Sequence, residues 1–243
     1  SLPPFMIQSV KFAIPVDHDG EPWLEKQKEI AAGYVTLEQT KETVVEQIAN
    51  LSQVSIVPNC DEYAIEYLPL SELFDTIKGK SKYTKKYGNL HSGPYPVYSA
   101  SSQGTLTHLD TYDYDGRYMT WSTNGFAGTI LILDGKFSIN GDRGILVPKN
   151  GRQDLDFDYM KFTLEPIFRE LAKGRKGDNG EDEFTKLYPS MLSDIMVPIP
   201  VDGEGNISLS LQKEIAQKFI SVQNSQKEII EKLDALISKK ISI

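Results

Sequence analysis

The densest chemical signal in this sequence is cationic. Lys78, Lys80, Lys82, Lys85 and Lys86 fall within a stretch that contains no acid and is interleaved with Gly79 and Tyr83. Lys173, Arg175 and Lys176 form a second set inside the glycine-flanked Ala172-Lys-Gly-Arg-Lys-Gly177. Lysine and arginine on glycine-hinged loops neutralise phosphate oxygens, and glycine lets the backbone approach them closely. One lysine run is more often a solvated loop, so the pairing of two such sets carries the argument. Three polar loops add a different chemistry. Ser101, Ser102 and Gln103 lie in 99–104, Thr123 and Asn124 in 122–125, and Arg143 in 140–144. Gln, Asn and Arg present paired donors and acceptors of the kind that read adenine and guanine edges in a major groove. Each loop taken singly is also ordinary turn chemistry, and Asp142 stands next to Arg143 as a candidate salt-bridge partner.

Catalytic patterns are missing. A magnesium-dependent nuclease needs Glu-x-Lys or Asp-x-Lys beside a further carboxylate. The sequence offers only Asp134-Gly135-Lys136, which reads as a turn. An amino-methyltransferase needs a glycine-rich cofactor turn and an Asn/Asp-Pro-Pro-aromatic loop, whereas Leu2-Pro3-Pro4-Phe5 lacks the polar residue. His18, His91 and His108 lack metal-ligand spacing, and no nucleophile elbow or phosphate-cradling loop occurs. The expectation is no catalytic centre, no metal and no cofactor.

The elements that would carry these loops are legible in the remaining sequence. The chain has 243 residues, 25% charged and 40% hydrophobic, which is globular composition with room for a substantial core. A net charge of -8 argues against indiscriminate polyanion binding. The lone Cys60 excludes an internal disulfide or cysteine-cluster site, and apolar runs such as 130–133 are far too short for a membrane helix. A cytoplasmic protein with no membrane partner is expected.

A repeat organises the chain. Ile14-Pro-Val-Asp17 returns as Ile199-Pro-Val-Asp202, and Gln27-Lys-Glu-Ile-Ala31 returns as Gln212-Lys-Glu-Ile-Ala216, with one constant offset. Each copy reads as an Asp/Gly turn followed by a long helix. Ile30, Tyr34, Leu37, Lys41, Val44, Ile48 and Leu51 form an a/d heptad seam. The second copy repeats it as Ile215, Phe219, Val222, Gln226, Ile229, Leu233 and Leu236, with the polar member at the same place. Two such seams in one chain can pair with each other. Between them lie β-rich runs at 95–98, 118–121, 129–133, 136–139 and 144–147, a hairpin signal at Asp134-Gly135, and helical patterns at 71–77 and 158–173. The predicted class is α+β, a mixed and largely antiparallel curled-sheet domain plus two long helices. The expected divisions are 1–23 as the remnant of a preceding domain and its turn, 24–56 as the first helix, 57–207 as the sheet domain with its exit turn, and 208–243 as the second helix.

In succession, Tyr95-Pro-Val-Tyr-Ser-Ala-Ser-Ser-Gln103, Tyr118-Met-Thr-Trp-Ser-Thr-Asn-Gly125, Gly135-Lys-Phe-Ser-Ile-Asn-Gly-Asp-Arg-Gly144 and the Pro-Ile-Pro exit into Gln212-Lys-Glu-Ile-Ala216 resemble the target recognition domain and spacer helix of type I restriction-modification specificity subunits. The resemblance implies a non-catalytic component that reads one half of a bipartite site on double-stranded DNA. Its two long helices would pair as an antiparallel coiled coil that sets the spacing and docks methyltransferase and nuclease subunits or domains. Such subunits usually carry two recognition domains, and this sequence has one between two helices. It therefore reads as a half-subunit that forms a homodimer through its helices, as half of a longer subunit, or as part of a fused enzyme of type IIB or IIG character. The rival readings are a coiled-coil protein-interaction scaffold and a methyltransferase or nuclease with degenerate motifs.

Overall fold

The computed structural model describes residues 13–53, 63–176 and 182–237. Its two compact units comprise residues 1–56 with 222–243, and residues 57–221.

The sequence repeat is reproduced hydrogen bond by hydrogen bond. Asp17 Oδ1 accepts from the backbone N–H of Asp19 at 2.9 Å and of Glu21 at 3.0 Å. Asp202 Oδ1 accepts from those of Glu204 and Asn206, both at 2.9 Å. These N–H groups, Asn206 foremost, hold the Asp202 carboxyl below the usual carboxylate range. Gly20 and Gly205 close the turns at φ of 82° and 83°, where a side chain would be strained. Val16 bridges Pro22 and Val201 bridges Ile207. The N–H of Trp23 then returns to Pro15, and that of Ser208 to Pro200, each at 2.9 Å. Both turns deliver the chain into a long helix, Leu24–Gln53 (α1) and Leu209–Ile237.

Within the first unit, α1 is exposed except for a stripe. Ile30, Leu37, Lys41, Val44 and Ile48 are half-buried, and Tyr34 is exposed. Lys41 pairs with Glu38 at 3.3 Å. On the second helix, Val222, Gln226 and Leu233 are half-buried, but Ile229 is 50% exposed and Ile230 takes its place. The first helix keeps the heptad spacing through Ile48, whereas on the second the half-buried position moves by one residue after Gln226. Leu51 and Leu236 lie within the helices, with side chains outside the described residues.

The second unit contains, in chain order, β1 (Ile65–Pro69), one helical turn α2 (Leu70–Leu73), β2 (Phe74–Lys78), α3 (Lys85–Leu90), β3 (Tyr95–Tyr98), β4 (Thr107–Leu109), β5 (Tyr114–Asp115), β6 (Tyr118–Ser122), β7 (Asn124–Gly125), β8 (Ile130–Leu133), β9 (Lys136–Ile139), β10 (Arg143–Pro148), α4 (Phe157–Leu171), β11 (Lys173–Lys176), β12 (Asp182–Lys186), β13 (Met196–Pro200) and the start of α5 (Leu209–Ile237). The strands form four sheets with orders β1-β13, β2-β10-β6-β8, β11-β12-β7 and β4-β3-β9-β5. Among the described strands only β3 and β9 run parallel, and an isolated parallel bridge joins Lys80 to Asn140.

Three expectations need correction. Asp134-Gly135 makes a turn, with Gly135 at φ 83°, but β8 and β9 do not pair as a hairpin. Instead β8 joins β6, and β9 joins β3 and β5, so the turn passes the chain from one sheet to another. The helical pattern at 71–77 stops after Leu73, because Phe74–Lys78 finds a full partner in β10 and ladder pairing overrides local propensity. The basic segment 173–176 is a strand paired with β12 rather than a free loop. The short helix α3 had no forecast.

The principal core buries Trp121, Phe74, Phe168, Met119, Leu146 and Leu164 between the β2-β10-β6-β8 sheet and α4. Trp121 Nε1 donates to Leu187 O at 3.0 Å. Helix α4 starts at Asp156, whose carboxylate accepts from Tyr159 N at 2.9 Å, and continues through Pro166. The first turns of α5 are part of this core. Ile215 and Ala216 are buried, and Phe219 stacks on Phe162 with ring centroids 5.0 Å apart. Buried Gln212 accepts from Asp156 N and donates to Asp154 O, both at 2.9 Å.

Candidate nucleic-acid interface

Strand register gathers the loops singled out by sequence. Ser122 pairs with Arg143 and Lys78 with Gly144, so the ends of β2 and β6 adjoin the start of β10. Tyr98 pairs with Ile139, bringing the ends of β3 and β9 to the same place. Short backbone bonds bind the loops together there: Thr123 N to Asp142 O at 2.9 Å, Asn140 N to Tyr98 O at 2.9 Å, and Lys80 N to Ile139 O at 3.1 Å. Segments 79–84, 99–106, 123–129 and 140–142 therefore rise from one edge. Among them lies a cavity of about 340 Å³ whose lining includes Lys78, Ser81, Lys85, Ser99, Asn140 and Asp142.

Arg143 overturns its sequence reading. It is fully buried, so it cannot reach a base edge from this position. Nor does its guanidinium pair with Asp142. Nε donates to Ser99 O at 2.6 Å, Nη2 to Ala100 O at 3.3 Å and Ser101 O at 3.1 Å, and Nη1 to Thr120 Oγ1 at 3.1 Å. Burial pulls its pKa down to about 10, which leaves it charged at neutral pH. Its planar fork fixes the root of the 99–105 loop. Thr123 is likewise buried, with Oγ1 3.3 Å from Gly141 O, and is removed from the base-reading set.

The other polar candidates remain accessible. Ser101 Oγ donates to Gln103 O at 2.9 Å and accepts from Gln103 N at 3.0 Å, a local turn that leaves the Ser102 and Gln103 side chains exposed. Asn124 is half-buried, and its Nδ2 donates to Asp142 Oδ1 at 2.7 Å. Asp142 Oδ2 accepts from Asn140 Nδ2 at 3.2 Å. One carboxylate thus orients two amides at the loop junction.

The lysines differ in availability. Lys80 is ion-paired with Asp113, whose hydrogen bond raises the Lys80 pKa. The same carboxylate accepts from Tyr83 OH at 3.0 Å. Lys78 sits over the Tyr188 ring at 4.9 Å, and Lys82 over Tyr83 and Tyr87 at 5.4 and 5.5 Å. Lys85 and Lys86 open α3, whose N-cap Thr84 accepts from Tyr87 N at 3.1 Å. Two cations at the positive end of a helix are mutually unfavourable until an anion joins them. On the other basic segment, Lys173 pairs with Lys186, and Lys186 with Asn124. The sheet thereby joins this segment to the 123–125 loop. The side chains of Arg175 and Lys176 lie outside the described residues.

Sequence reasoning missed Lys186, Phe126, Phe184 and Tyr188. The alternation Phe184-Thr185-Lys186 and the phenylalanine placed after Asn124-Gly125 were available signals.

The chain belongs to the type I restriction modification DNA specificity domain family, whose model matches residues 64–242. Among its relatives, S.MpnORF507P of Mycoplasma pneumoniae, named as a type I specificity subunit, is 38% identical over 97 residues, covering 39% of this chain and 26% of that protein. The specificity subunit of the type I restriction enzyme MpnII, from the same organism, is 29% identical over 157 residues, 63% of this chain and 43% of that one. The chain spans from 26% to 59% of the length of the first curated relatives it matches. Solved structures share the fold. The HsdS subunit from Thermoanaerobacter tengcongensis aligns with a TM-score of 0.53 at 15% identity, over 89% of this chain and 57% of that one. The S subunit from M. genitalium aligns at 0.51 and 17% identity, over 70% of this chain and 41% of that one. Among the described residues no helix is long and apolar enough to cross a membrane.

Proposed function

We propose that this chain is a non-catalytic DNA-recognition module of a type I restriction-modification system, and that the loop edge around Arg143 reads one half of a bipartite site through the major groove. The observation that carries the reading is the convergence, by register, of three polar loops with a lysine-rich segment and a second basic strand. Gln103 and Asn124 are its base-edge readers, with Ser102 beside them. Lys78, Lys82, Lys85, Lys86, Lys173, Arg175 and Lys176 contact phosphates. Lys80 is already neutralised by Asp113 and contributes less. Arg143 and Thr123 act as supports.

The half-buried stripes of α1 and α5 are proposed to pair, setting the spacing between half-sites and docking methyltransferase and nuclease subunits. The first repeat copy supports a second recognition domain. Ile199 and Val201 are 0% and 6% exposed, whereas their counterparts Ile14 and Val16 are 47% and 52% exposed. Gln27 and Tyr34 occupy the positions of Gln212 and Phe219 without burial to match. The first turn and helix are therefore proposed as an equivalent docking face for a recognition domain of a second copy of this chain.

Selection of binders from a randomised duplex pool tests the reading. A defined consensus is expected, with affinity that falls steeply as salt rises. Recovery of unselected sequences, or salt-independent retention, contradicts it.

A further inference from the structure

The sheet β11-β12-β7 carries side chains that the reading above leaves unused. Thr185 points inward: it is buried, its Oγ1 donates to Gly125 O at 2.9 Å and accepts from Ala127 N at 3.1 Å. Pleating then puts Phe184 and Lys186 on the outer face. Lys186 is directly opposite both Lys173 and Asn124, so all three share that face. Phe126 and Phe184 adjoin the paired residues Gly125 and Thr185, each on the side away from the Asn124–Lys186 pair. The two phenylalanines are 63% and 49% exposed.

This exposure does not come from a loose loop. Phe126 O accepts from the hydroxyls of Ser122 and Thr129. Two residues on, Gly128 adopts φ 92°, and a Cβ there would meet Arg169 N at 2.8 Å, so the loop is seated tightly on α4. A phenylalanine presented to solvent by a fixed backbone keeps its full apolar contact available, with little ordering entropy left to lose on binding. Its flanking residues select the partner: cations at Lys173 and Lys186, and an amide at Asn124, complement a duplex rather than an apolar protein surface.

We propose that Phe126 and Phe184 form an apolar specificity contact with DNA bases, meeting pyrimidine methyl groups or base faces at the margin of the half-site while Lys173 and Lys186 bind the adjoining phosphates. Phenylalanine against the thymine methyl is an established readout chemistry, and it distinguishes bases without hydrogen bonds. This contact rests on the DNA-recognition reading and extends it by assigning an apolar reader beside the polar ones.

The test is selection from the randomised duplex pool with the full chain and with Phe126→Ala, Phe184→Ala and the double variant, followed by affinity measurements in a salt series. Wild type should yield a consensus. The double variant should keep most of it, lose preference at one or two adjacent positions, and bind the wild-type consensus roughly ten- to hundredfold more weakly. Its salt slope should be unchanged, whereas Lys186→Ala should reduce the slope by about one. Because both rings are exposed, the melting temperature of the double variant should match wild type, and Phe126→Leu should restore part of the preference. A double variant that recovers the wild-type consensus at wild-type affinity overturns the contact and leaves DNA recognition standing. A wild-type chain that recovers no consensus removes both. Loss of methyltransferase-subunit binding with unaltered DNA selection assigns the phenylalanines to a protein partner and also overturns the contact.

Discussion

Arg143 is the side chain on which the proposed recognition edge depends. Four oxygens on two segments converge on one guanidinium, and its recorded partners are carbonyls and a hydroxyl rather than a carboxylate. Lysine has the charge but neither the planar fork nor the reach to serve all four. Each buried acceptor left unpaired costs about 1–3 kcal/mol. Arg143→Lys should therefore lower unfolding stability in urea by at least about 1 kcal/mol, and reduce discrimination between cognate and scrambled duplexes. An unchanged urea midpoint and unchanged discrimination would contradict the supporting role. The charge is constant across neutral pH, because the group titrates near pH 10 in the folded chain and higher when unfolded. Below pH 10 both states are protonated and the residue adds no pH dependence. Above it the unfolded state binds more protons, so stability rises with pH as the buried charge is relieved. The sequence identified Arg143 by residue type and position but not its direction. An arginine on a Gly-Asp-Arg-Gly turn looks equally suited to a base edge and to a loop root, and only the carbonyls of 99–101, distant in sequence, decide between them.

At the scale of elements, the repeated turn and helix start hold the strongest local information. Asp202 fixes the turn before α5 through two backbone N–H groups. Asp202→Ala should lower the melting temperature, and Asp202→Asn should do so less. The carboxyl is held low in the folded state, so its stabilising effect is present above the ordinary carboxylate pKa and lost as pH falls through the lowered value. An alanine variant that melts with wild type across that range would refute the assignment. One turn further, Gln212→Leu leaves Asp156 N and Asp154 O without a side-chain partner, at about 1–3 kcal/mol each in a buried setting, measurable by urea denaturation. The turns were legible because identical residues recur at one offset and make matching bonds, whereas the partners of Gln212, distant in sequence, were not. Strand positions were legible for the same local reason, since alternation and turn residues mark 95–98, 136–139 and 144–147. Strand partners were not. The pairing of β8 with β6 and of β9 with β3 is set by long-range contacts, which is also why a strong hairpin signal at Asp134-Gly135 became a passage between sheets.

At the scale of the whole molecule, both long helices carry narrow half-buried stripes. If those stripes pair, the one-position drift on α5 has a consequence. Ile230→Asp should weaken self-association or thermal stability measurably, whereas Ile229→Asp, at a 50% exposed site, should be nearly silent. Equal effects in sedimentation and melting experiments would reject the assigned seam. The central claim is that one loop edge separates base reading from phosphate binding. Equilibrium binding of the full chain to its selected duplex and to a scrambled one, between about 50 and 200 mM salt, tests it most directly. Gln103→Ala and Asn124→Ala should shrink the cognate-to-scrambled ratio by about 1–3 kcal/mol without changing the salt slope. Lys82→Ala and Lys85→Ala should lower both affinities alike and reduce the slope by about one each. Equal losses on both duplexes for the first pair, or an unaltered slope for the second, would contradict the account.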